Sequence, residues 1–598
     1  MREFSLPALY EVPADGNLTD IVRRNAAQHP DVAVIARKVG GAWQDVTARA
    51  FLSEVHSAAK GLIASGVQPG DRVGLMSRTR YEWTLLDFAI WSAGAITVPV
   101  YETSSPEQVQ WILGDSGATA CVVESAGHAA AVESVRDRLP ALKNVWQIDA
   151  GAVEDLGKLG QDVTDRAVEE RGSIAKADDP ATIVYTSGTT GRPKGCVLTH
   201  RSFFAECGNV VERLRPLFRT GECSVLLFLP LAHVFGRLVQ VAPMIAPIKL
   251  GCVPDIKNLT DELAAFRPTL ILGVPRVFEK VYNSARAKAQ ADGKGKIFDK
   301  AADTAIAYSK ALDAPAGPSV GLRIKHKVFD KLVYSKLRTV LGGRGEYAIS
   351  GGAPLGERLG HFFRGIGFTV LEGYGLTESC AATAFNPWDR QKIGTVGQPL
   401  PGSVVRIADD GEVLLHGEHL FKEYWNNPGA TAEALADGWF HTGDIGTLDE
   451  DGYLRITGRK KEIIVTAGGK NVAPAVIEDR IRAHALVAEC MVVGDGRPFV
   501  GALVTLDEEF LGRWCAEHGK PAGSTAVSLR EDPELLAAIQ DAVDDGNAAV
   551  SKAESVRRFR VLGAQFTEDS GHLTPSLKLK RNAVAKDYAD EIEAIYSK

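Results

Sequence analysis

The chain has 598 residues, 45% of them hydrophobic and 24% charged, with a formal net charge of −7. That length exceeds what one hydrophobic core usually serves, so at least two domains are expected, and the balance is that of a soluble globular protein with no general pull toward nucleic acid. The eight cysteines show no C-x-x-C spacing and no histidine pairing at metal-ligand intervals, and they read as small buried hydrophobes in a reducing cytosol.

At the N-terminus, Met1-Arg2-Glu3-Phe4-Ser5-Leu6-Pro7 lacks a continuous apolar run, and the longest apolar stretch, near 85–101, is broken by Asp87, Gly94 and Pro99. Neither secretion nor a membrane span is expected from these segments. Strand and helix patterns then alternate: Arg72–Met76 (strand), 83–92 (helix), Ile96–Val100 (strand), 106–114 (helix) and 118–123 (strand). This rhythm predicts parallel-sheet α/β architecture.

Between strands predicted at 182–185 and 196–200 lies Tyr185-Thr186-Ser187-Gly188-Thr189-Thr190-Gly191-Arg192-Pro193-Lys194-Gly195. Glycines let backbone approach phosphate oxygens, Ser and Thr supply hydroxyl donors or metal contacts, and Lys194 adds a mobile positive charge. It is not a Walker A loop, which needs G-x-x-x-x-G-K-[ST]. The string resembles the signature loop of the adenylate-forming (ANL) superfamily, which joins acyl-CoA synthetases, peptide-synthetase adenylation domains and luciferases. The resemblance makes Thr186, Ser187, Gly188, Thr189, Thr190, Gly191 and Lys194 nucleotide-binding residues, with Thr186 also a metal contact and Lys194 a catalytic cation.

Further strands are predicted at 225–229, 269–272, Tyr347–Ser350 and 369–372, several running into Gly- or Pro-rich turns, where ligands gather in open α/β sheets. Leu229-Pro230-Leu231-Ala232-His233-Val234-Phe235-Gly236-Arg237 is similar to the segment that borders the acyl site in the superfamily, which would set His233 near the substrate carboxylate. A lone histidine after a strand also reads as a satisfied core residue. The largely helical stretch 278–345 is one that relatives acting on small acids lack or shorten, and it favours a long fatty acid. Within it, 322–338 reads as a basic amphipathic helix, either packed on the core or in peripheral contact with anionic lipid.

Ser350-Gly351-Gly352-Ala353-Pro354-Leu355 and Gly373-Tyr374-Gly375-Leu376-Thr377-Glu378-Ser379 match the same superfamily in order. The resemblance assigns Gly351, Gly352, Ala353, Glu372, Gly373, Tyr374, Gly375 and Thr377 to ATP/AMP binding, with Tyr374 an aromatic face for adenine. It makes Glu378 the catalytic carboxylate that holds phosphate-borne Mg²⁺.

From 390 to 456 short strands (404–408, 412–415, 453–456) predict a small β-rich subdomain, and helical rhythm returns after Ala475. Within Trp439-Phe440-His441-Thr442-Gly443-Asp444, Asp444 is implied to accept from the ribose hydroxyls. Arg459 is implied to contact ribose or phosphate, its plain alternative being a salt bridge between domains, and Lys461 matches the hinge position. The expected division is therefore residues 1–458, an adenylation domain binding ATP and fatty acid, and residues 459–598, a smaller mobile α+β domain.

In that second part, Ala467-Gly468-Gly469-Lys470-Asn471 matches the face that admits the pantetheine arm, implying Gly468, Gly469 and Lys470 as CoA contacts. His572-Leu573-Thr574-Pro575-Ser576-Leu577-Lys578-Leu579-Lys580-Arg581 resembles the superfamily's last motif, P-x-x-x-x-G-K-[IV]-x-R. Lys578 falls on the catalytic lysine, although Leu577 replaces the usual glycine and Lys580 is a nearby competitor. Over nearly its whole length the chain looks like bacterial, particularly actinobacterial, long-chain fatty-acid–CoA ligases. That resemblance implies an ATP-dependent synthesis of acyl-CoA through an acyl-adenylate, with Mg²⁺ as cofactor and fatty acid, ATP and CoA as substrates. It implies a cytoplasmic enzyme, leaves peripheral contact with the inner membrane face and a homodimer open, and keeps as alternatives a fatty acyl-AMP ligase, a CoA ligase for another acid, or a silent binding protein of the same fold.

Overall fold

The computed structural model describes residues 1–186, 192–254, 258–521, 523–574 and 578–597. The expected contacts Ser187, Gly188, Thr189, Thr190 and Gly191, and the motif residues Pro575, Ser576 and Leu577, lie outside the described residues. The fold is α/β, and the chain forms two compact units: Met1–Arg406 with Leu414–His441 and Leu448–Leu454, and Ile407–Val413 with Thr442–Thr447 and Arg455–Lys598.

The first unit contains a seven-stranded sheet in the order Glu423–Tyr424, Lys194–Thr199, Pro180–Thr186, Ile96–Val100, Arg72–Met76, Ala120–Val123, Asn144–Gln147. Its centre is parallel, with Arg72 to Met76 in register with Ile96 to Val100, and every residue of the latter strand is buried. Continuous apolar runs are what a strand covered on both faces requires. Every residue of the helix Tyr81–Ser92 except Glu82 is buried, which is why its sequence is largely apolar on all faces, with Asp87 among the few polar residues. The helix Pro106–Ser116 starts at a capping box, Ser105 with Gln108, and stops at Gly117 in the left-handed region. The strand expected at 196–200 ends one residue sooner, because Thr199 caps the helix His200–Arg213 and His200 becomes its buried first residue.

A nine-stranded sheet follows the order Gln398–Pro399, Ala384–Phe385, Thr369–Tyr374, Tyr347–Ser350, Leu270–Gly273, Ser224–Leu227, Lys249–Cys252, Ala33–Val39, Ala42–Thr47. The parallel strands 224–227, 270–273, 347–350 and 369–374 end at the turns that carry the site. The expected helical stretch folds as Pro275–Ala291, Gly295–Asp313 and Val320–Phe329, continuing through a π turn, Asp330–Tyr334, into Ser335–Val340. No residue of Val320–Phe329 is buried. In the β-rich part, Glu3–Ser5 pairs antiparallel with Ser403–Ile407, and Leu435–Ala436 turns back on Phe440 and Trp439 through Asp437 (φ 53°) and Gly438 (φ 79°). Positive φ at both central residues is the requirement of a type I′ hairpin, met here by Asp-Gly.

The second unit is built on Val487–Val493, Val500–Leu506 and Val556–Val561, the first pair antiparallel and the second parallel. Pro474–Arg482 and Pro533–Asn547 contribute Ile477, Ile481, Leu535 and Ile539 to the core beside that sheet. All eight cysteines are buried and reduced, six in the first unit and Cys490 and Cys515 in the second. Among the described residues no helix is long and apolar enough to cross a membrane.

Candidate active site

The segment expected to bind phosphate is flanked on both sides by anchored residues. Thr186 and Lys194 face each other where the antiparallel strands Pro180–Thr186 and Lys194–Thr199 part. The Trp111 indole N–H donates to the Pro193 carbonyl (2.9 Å), the Arg192 guanidinium lies 4.7 Å from the Trp111 ring, and the Trp425 N–H donates to the Gly195 carbonyl (2.7 Å). Tyr185 donates to Asp115 at 2.6 Å, and burial first, then that carboxylate, pushes its phenol upward. The strand 423–424 pairs with 196–197 and brings the Tyr424 ring to 4.8 Å from the Lys194 ammonium, while the Tyr424 hydroxyl donates to Glu378 at 2.6 Å. Burial, then the negative charge of Glu378, holds the Tyr424 phenol protonated. Lys194 and Glu378, read separately from sequence, are thus joined through an aromatic residue that sequence reasoning did not select. Its only signal was a short β-prone, aromatic stretch before the Asn426-Asn427-Pro428 turn.

Among the described residues no three His, Cys, Asp or Glu side chains group to cage a metal. Magnesium in nucleotide sites takes one or two protein oxygens and completes its octahedron with phosphates and water. The Thr186 hydroxyl and the half-buried Glu378 carboxylate fit that open, phosphate-borne arrangement.

The turns expected to hold the adenine are built from close backbone approaches. A Cβ on Gly351 would stand 3.6 Å from the Phe235 ring and from the Gly373 carbonyl, and Gly352 has φ +85°. The buried Glu372 carboxylate accepts the Leu355 N–H at 2.9 Å, tying the 350–355 turn to the neighbouring strand. At Gly375 a Cβ would fall 1.5 Å from the Ala381 carbonyl oxygen, so no other residue fits. Thr377–Ser379 forms a short 3₁₀ turn, after which Cys380 (φ 60°) and Ala381 (φ 123°) hold left-handed conformations that L side chains rarely adopt. Beneath them Glu206, fully buried, accepts the Ala382 N–H. Burial pushes its carboxyl well above the usual range despite that bond, leaving it neutral.

His233 caps the helix Val234–Ile245, its Nδ1 accepting the Phe235 N–H at 3.1 Å. An accepting Nδ1 leaves the proton on Nε2 and the ring neutral. The ring is half-buried, and this capping role stands beside the expected one near the substrate carboxylate. One turn further, Arg237 is fully buried 3.1 Å from Asp87, with its guanidinium 4.9 and 5.3 Å from the Trp83 and Trp91 rings.

In the second unit Asp444 is buried and paired with Arg459 at 2.9 Å, while Gly443 N–H donates to Glu412 at 2.9 Å. Both partners of the ion pair are thus in one unit, and the carboxylate expected to receive ribose hydroxyls is already charge-compensated. Lys461 sits in the 3₁₀ turn Lys460–Glu462, next to Lys460, which bridges Asp410 (2.5 Å) and Glu412 (3.2 Å). Ile464–Val465 and Asn471–Val472 form a hairpin whose turn holds Gly468, Gly469 (φ +74°) and Lys470. The Gly469 Cβ direction meets nothing within 4 Å, and Lys470 lies 3.5 Å from Glu554. Lys578 is exposed on an arm closed by the Thr574 N–H to the Lys578 carbonyl (2.8 Å), the Lys578 N–H to the Thr574 hydroxyl (3.0 Å), and a bridge between Leu573 and Leu579. Arg581 anchors that arm, half-buried against Glu478 and donating to the Val492 carbonyl at 3.1 Å. Burial opposes its charge, but Glu478 and Glu462 outweigh it and keep the guanidinium firmly protonated.

Residues 22–425 match the AMP-binding enzyme family and residues 461–598 match the AMP-binding enzyme C-terminal domain. A long-chain-fatty-acid–CoA ligase of Mycobacterium bovis is 51% identical over 601 residues, covering 100% of both chains. The crystal structure of the anthranilate CoA ligase AuaEII in complex with anthranoyl-AMP has a similar fold (TM-score 0.71, 20% identity, 96% of this chain and 98% of that one), as has a Mycobacterium tuberculosis fatty acyl CoA synthetase (TM-score 0.62, 23% identity, 96% and 99%). With both parts matched in order and a relative half identical from end to end, the chain belongs to the AMP-binding enzyme family, within the adenylate-forming superfamily.

Proposed function

We propose that the protein is an ATP-dependent long-chain-fatty-acid–CoA ligase that makes acyl-CoA, AMP and pyrophosphate. The observation that carries the chemistry is the Lys194, Tyr424 and Glu378 constellation at the mouth of the phosphate loop; the acid class rests on the half-identical ligase. A carboxylate is a poor electrophile, so one of its oxygens attacks the α-phosphorus in line, the bond to the bridging oxygen breaks, and pyrophosphate leaves with the electron pair. Lys194 sets positive charge against the departing phosphates, and Lys578 places an ammonium beside the α-phosphate and carboxylate. Bound Mg²⁺, held by Thr186 and Glu378, would neutralise phosphate charge. The adenine packs over Gly351, Gly352, Ala353 and Tyr374, and Asp444 with Arg459 meets the ribose.

In the second half-reaction the CoA sulfur attacks the acyl carbon, AMP leaves, and the thiol proton passes to solvent. The division at 458/459, with Lys461 as hinge, lets residues 459–598 withdraw Lys578 and present Gly468, Gly469 and Lys470 to the pantetheine arm. The enzyme works in the cytoplasm, where ATP and CoA are supplied. Purified protein incubated with ATP, Mg²⁺, CoA and a ladder of fatty acids tests the reading by mass spectrometry: acyl-CoA peaking at long chains is expected. Acyl-AMP without thioester would move the assignment to acyl-AMP ligases, and no product would overturn it.

A further inference from the structure

The helix Val320–Phe329 and the turns that continue it display an unusual surface. Val320 is 74% exposed, Ile324 61%, Val328 51% and Leu332 54%, at positions i, i+4, i+8 and i+12. On an α-helix each such step turns by only about 40°, so the four aliphatic side chains form one slanted stripe. The π turn Asp330–Tyr334, by adding a residue to its turn, offsets part of that drift at Leu332. The opposite face is the one that packs: His326 stacks on Tyr308 (3.9 Å) and bonds the Gly365 carbonyl (2.6 Å), and the buried Tyr334 donates to the Ala301 carbonyl (2.7 Å). Because that inner face is anchored, the stripe cannot roll inward to bury itself.

The rim of the stripe is cationic. Arg323, Lys325, Lys327, Lys331 and Lys336 are all exposed, and the one acidic residue between 319 and 341, Asp330, is paired with Arg338 at 2.7 Å. This concentration occurs in a chain whose formal net charge is −7. Four exposed aliphatic side chains ringed by five cations are the pattern of a helix lying in a membrane interface, its apolar edge among acyl chains and its cations at the headgroups. A second copy of the chain fits poorly, since apposing two such stripes would bring two cationic rims together.

We propose that residues 320–336 dock the protein on anionic bilayers, with Val320, Ile324, Val328 and Leu332 inserting and the five cations contacting lipid phosphates. The inference deepens the cytoplasmic location proposed for the enzyme but rests on this surface alone, so failure of the ligase reading leaves it standing. The test is flotation of the full chain with phosphatidylcholine vesicles, with and without phosphatidylglycerol. Binding is expected on phosphatidylglycerol vesicles at about 0.05 M salt and sharply reduced at about 0.5 M. Ile324→Asp/Val328→Asp is expected to weaken that binding roughly tenfold or more while leaving the melting temperature and the turnover of dispersed short-chain acid unchanged, because both side chains already face solvent. Protein that stays in the soluble fraction at low salt, or a double variant that floats like the parent, overturns the proposal. So does a parent dimer that the double variant dissociates without any vesicle binding, which would make the stripe a contact between copies.

Discussion

The Tyr424 phenol donates to Glu378 at 2.6 Å while its ring lies 4.8 Å from the Lys194 ammonium, so one side chain links the two charges that the proposed mechanism sets against the phosphates. A hydrogen bond to a charged carboxylate contributes roughly 1.5–3 kcal/mol, equivalent to about ten- to a hundredfold in rate if it is needed in the transition state. Tyr424→Phe keeps the ring over Lys194 and removes only the bond to Glu378. It is expected to raise the Mg²⁺ concentration required for half-maximal ATP–pyrophosphate exchange, with little change in melting temperature; a variant whose Mg²⁺ dependence matches the parent would sink the positioning role.

Lys578 and Lys580 are two residues apart on the arm that Arg581 anchors. Lys578→Ala is expected to reduce acyl-adenylate formation by about a hundredfold or more, as loss of a transition-state cation does, and to leave thioester formation from supplied acyl-AMP much less affected. Lys580→Ala should lower neither step by more than about threefold. The reverse pattern in single-turnover assays would move the catalytic assignment to Lys580.

Glu206 sits neutral beneath the turn that carries Glu378, accepting the Ala382 N–H. Glu206→Gln preserves that acceptor and is expected to change stability by no more than about 1 kcal/mol at about pH 4, below the unfolded carboxyl value, whereas Glu206→Ala orphans a buried donor and leaves a cavity, costing about 2–4 kcal/mol. Denaturant melts of the two variants decide it: equal losses would mean that the carboxyl is not the acceptor that supports the turn.

The same residue gives a pH signature. A carboxyl whose folded pKa is raised binds its proton more tightly when folded, so its contribution is fully present below the unfolded value and is lost as pH rises toward the folded one. Glu206→Gln should therefore gain on the parent as pH rises above the unfolded carboxyl value of roughly 4.3. His200 and His419 act oppositely. Burial depresses both to about 4, so each folds neutral, and its stabilisation, intact above the unfolded pKa of roughly 6.5, is lost as pH falls toward 4. Each should steepen the acid limb by up to roughly 1.4 kcal/mol per pH unit. His419→Gln should flatten that limb in thermal melts from pH 7 to 5, and an unchanged slope would rule the residue out as a source.

Strands such as Arg72–Met76 and Tyr347–Ser350 were legible because short apolar runs end at Gly, Pro or charged residues, which fixes both type and length. The helix start at Tyr81 was missed by two residues, since its N-cap Arg80 offers no capping side chain to announce it. Glu378, Lys194 and the glycine turns were legible because their motifs are contiguous. Tyr424 was not, for it reaches the site only through pairing of 423–424 with a strand more than 200 residues earlier, a contact that no local pattern encodes. Glu206 was hidden for a related reason: on a helix its sequence looks like an ordinary solvated acid, and only the turn folded over it makes it neutral. His233 was read with two roles, and the capping bond to the Phe235 N–H is a local one that neither reading named.

The buried thiols supply one more consequence. With six of them in one compact unit and Cys490 and Cys515 in the other, a thiol reagent can modify the chain only when one unit opens, so labelling becomes a clock for each unit separately. Mass spectrometry of partly labelled protein would sort the adducts by unit and time each opening. Nucleotide that orders the turn around Cys380 would slow that residue's modification while Cys515 kept its own pace.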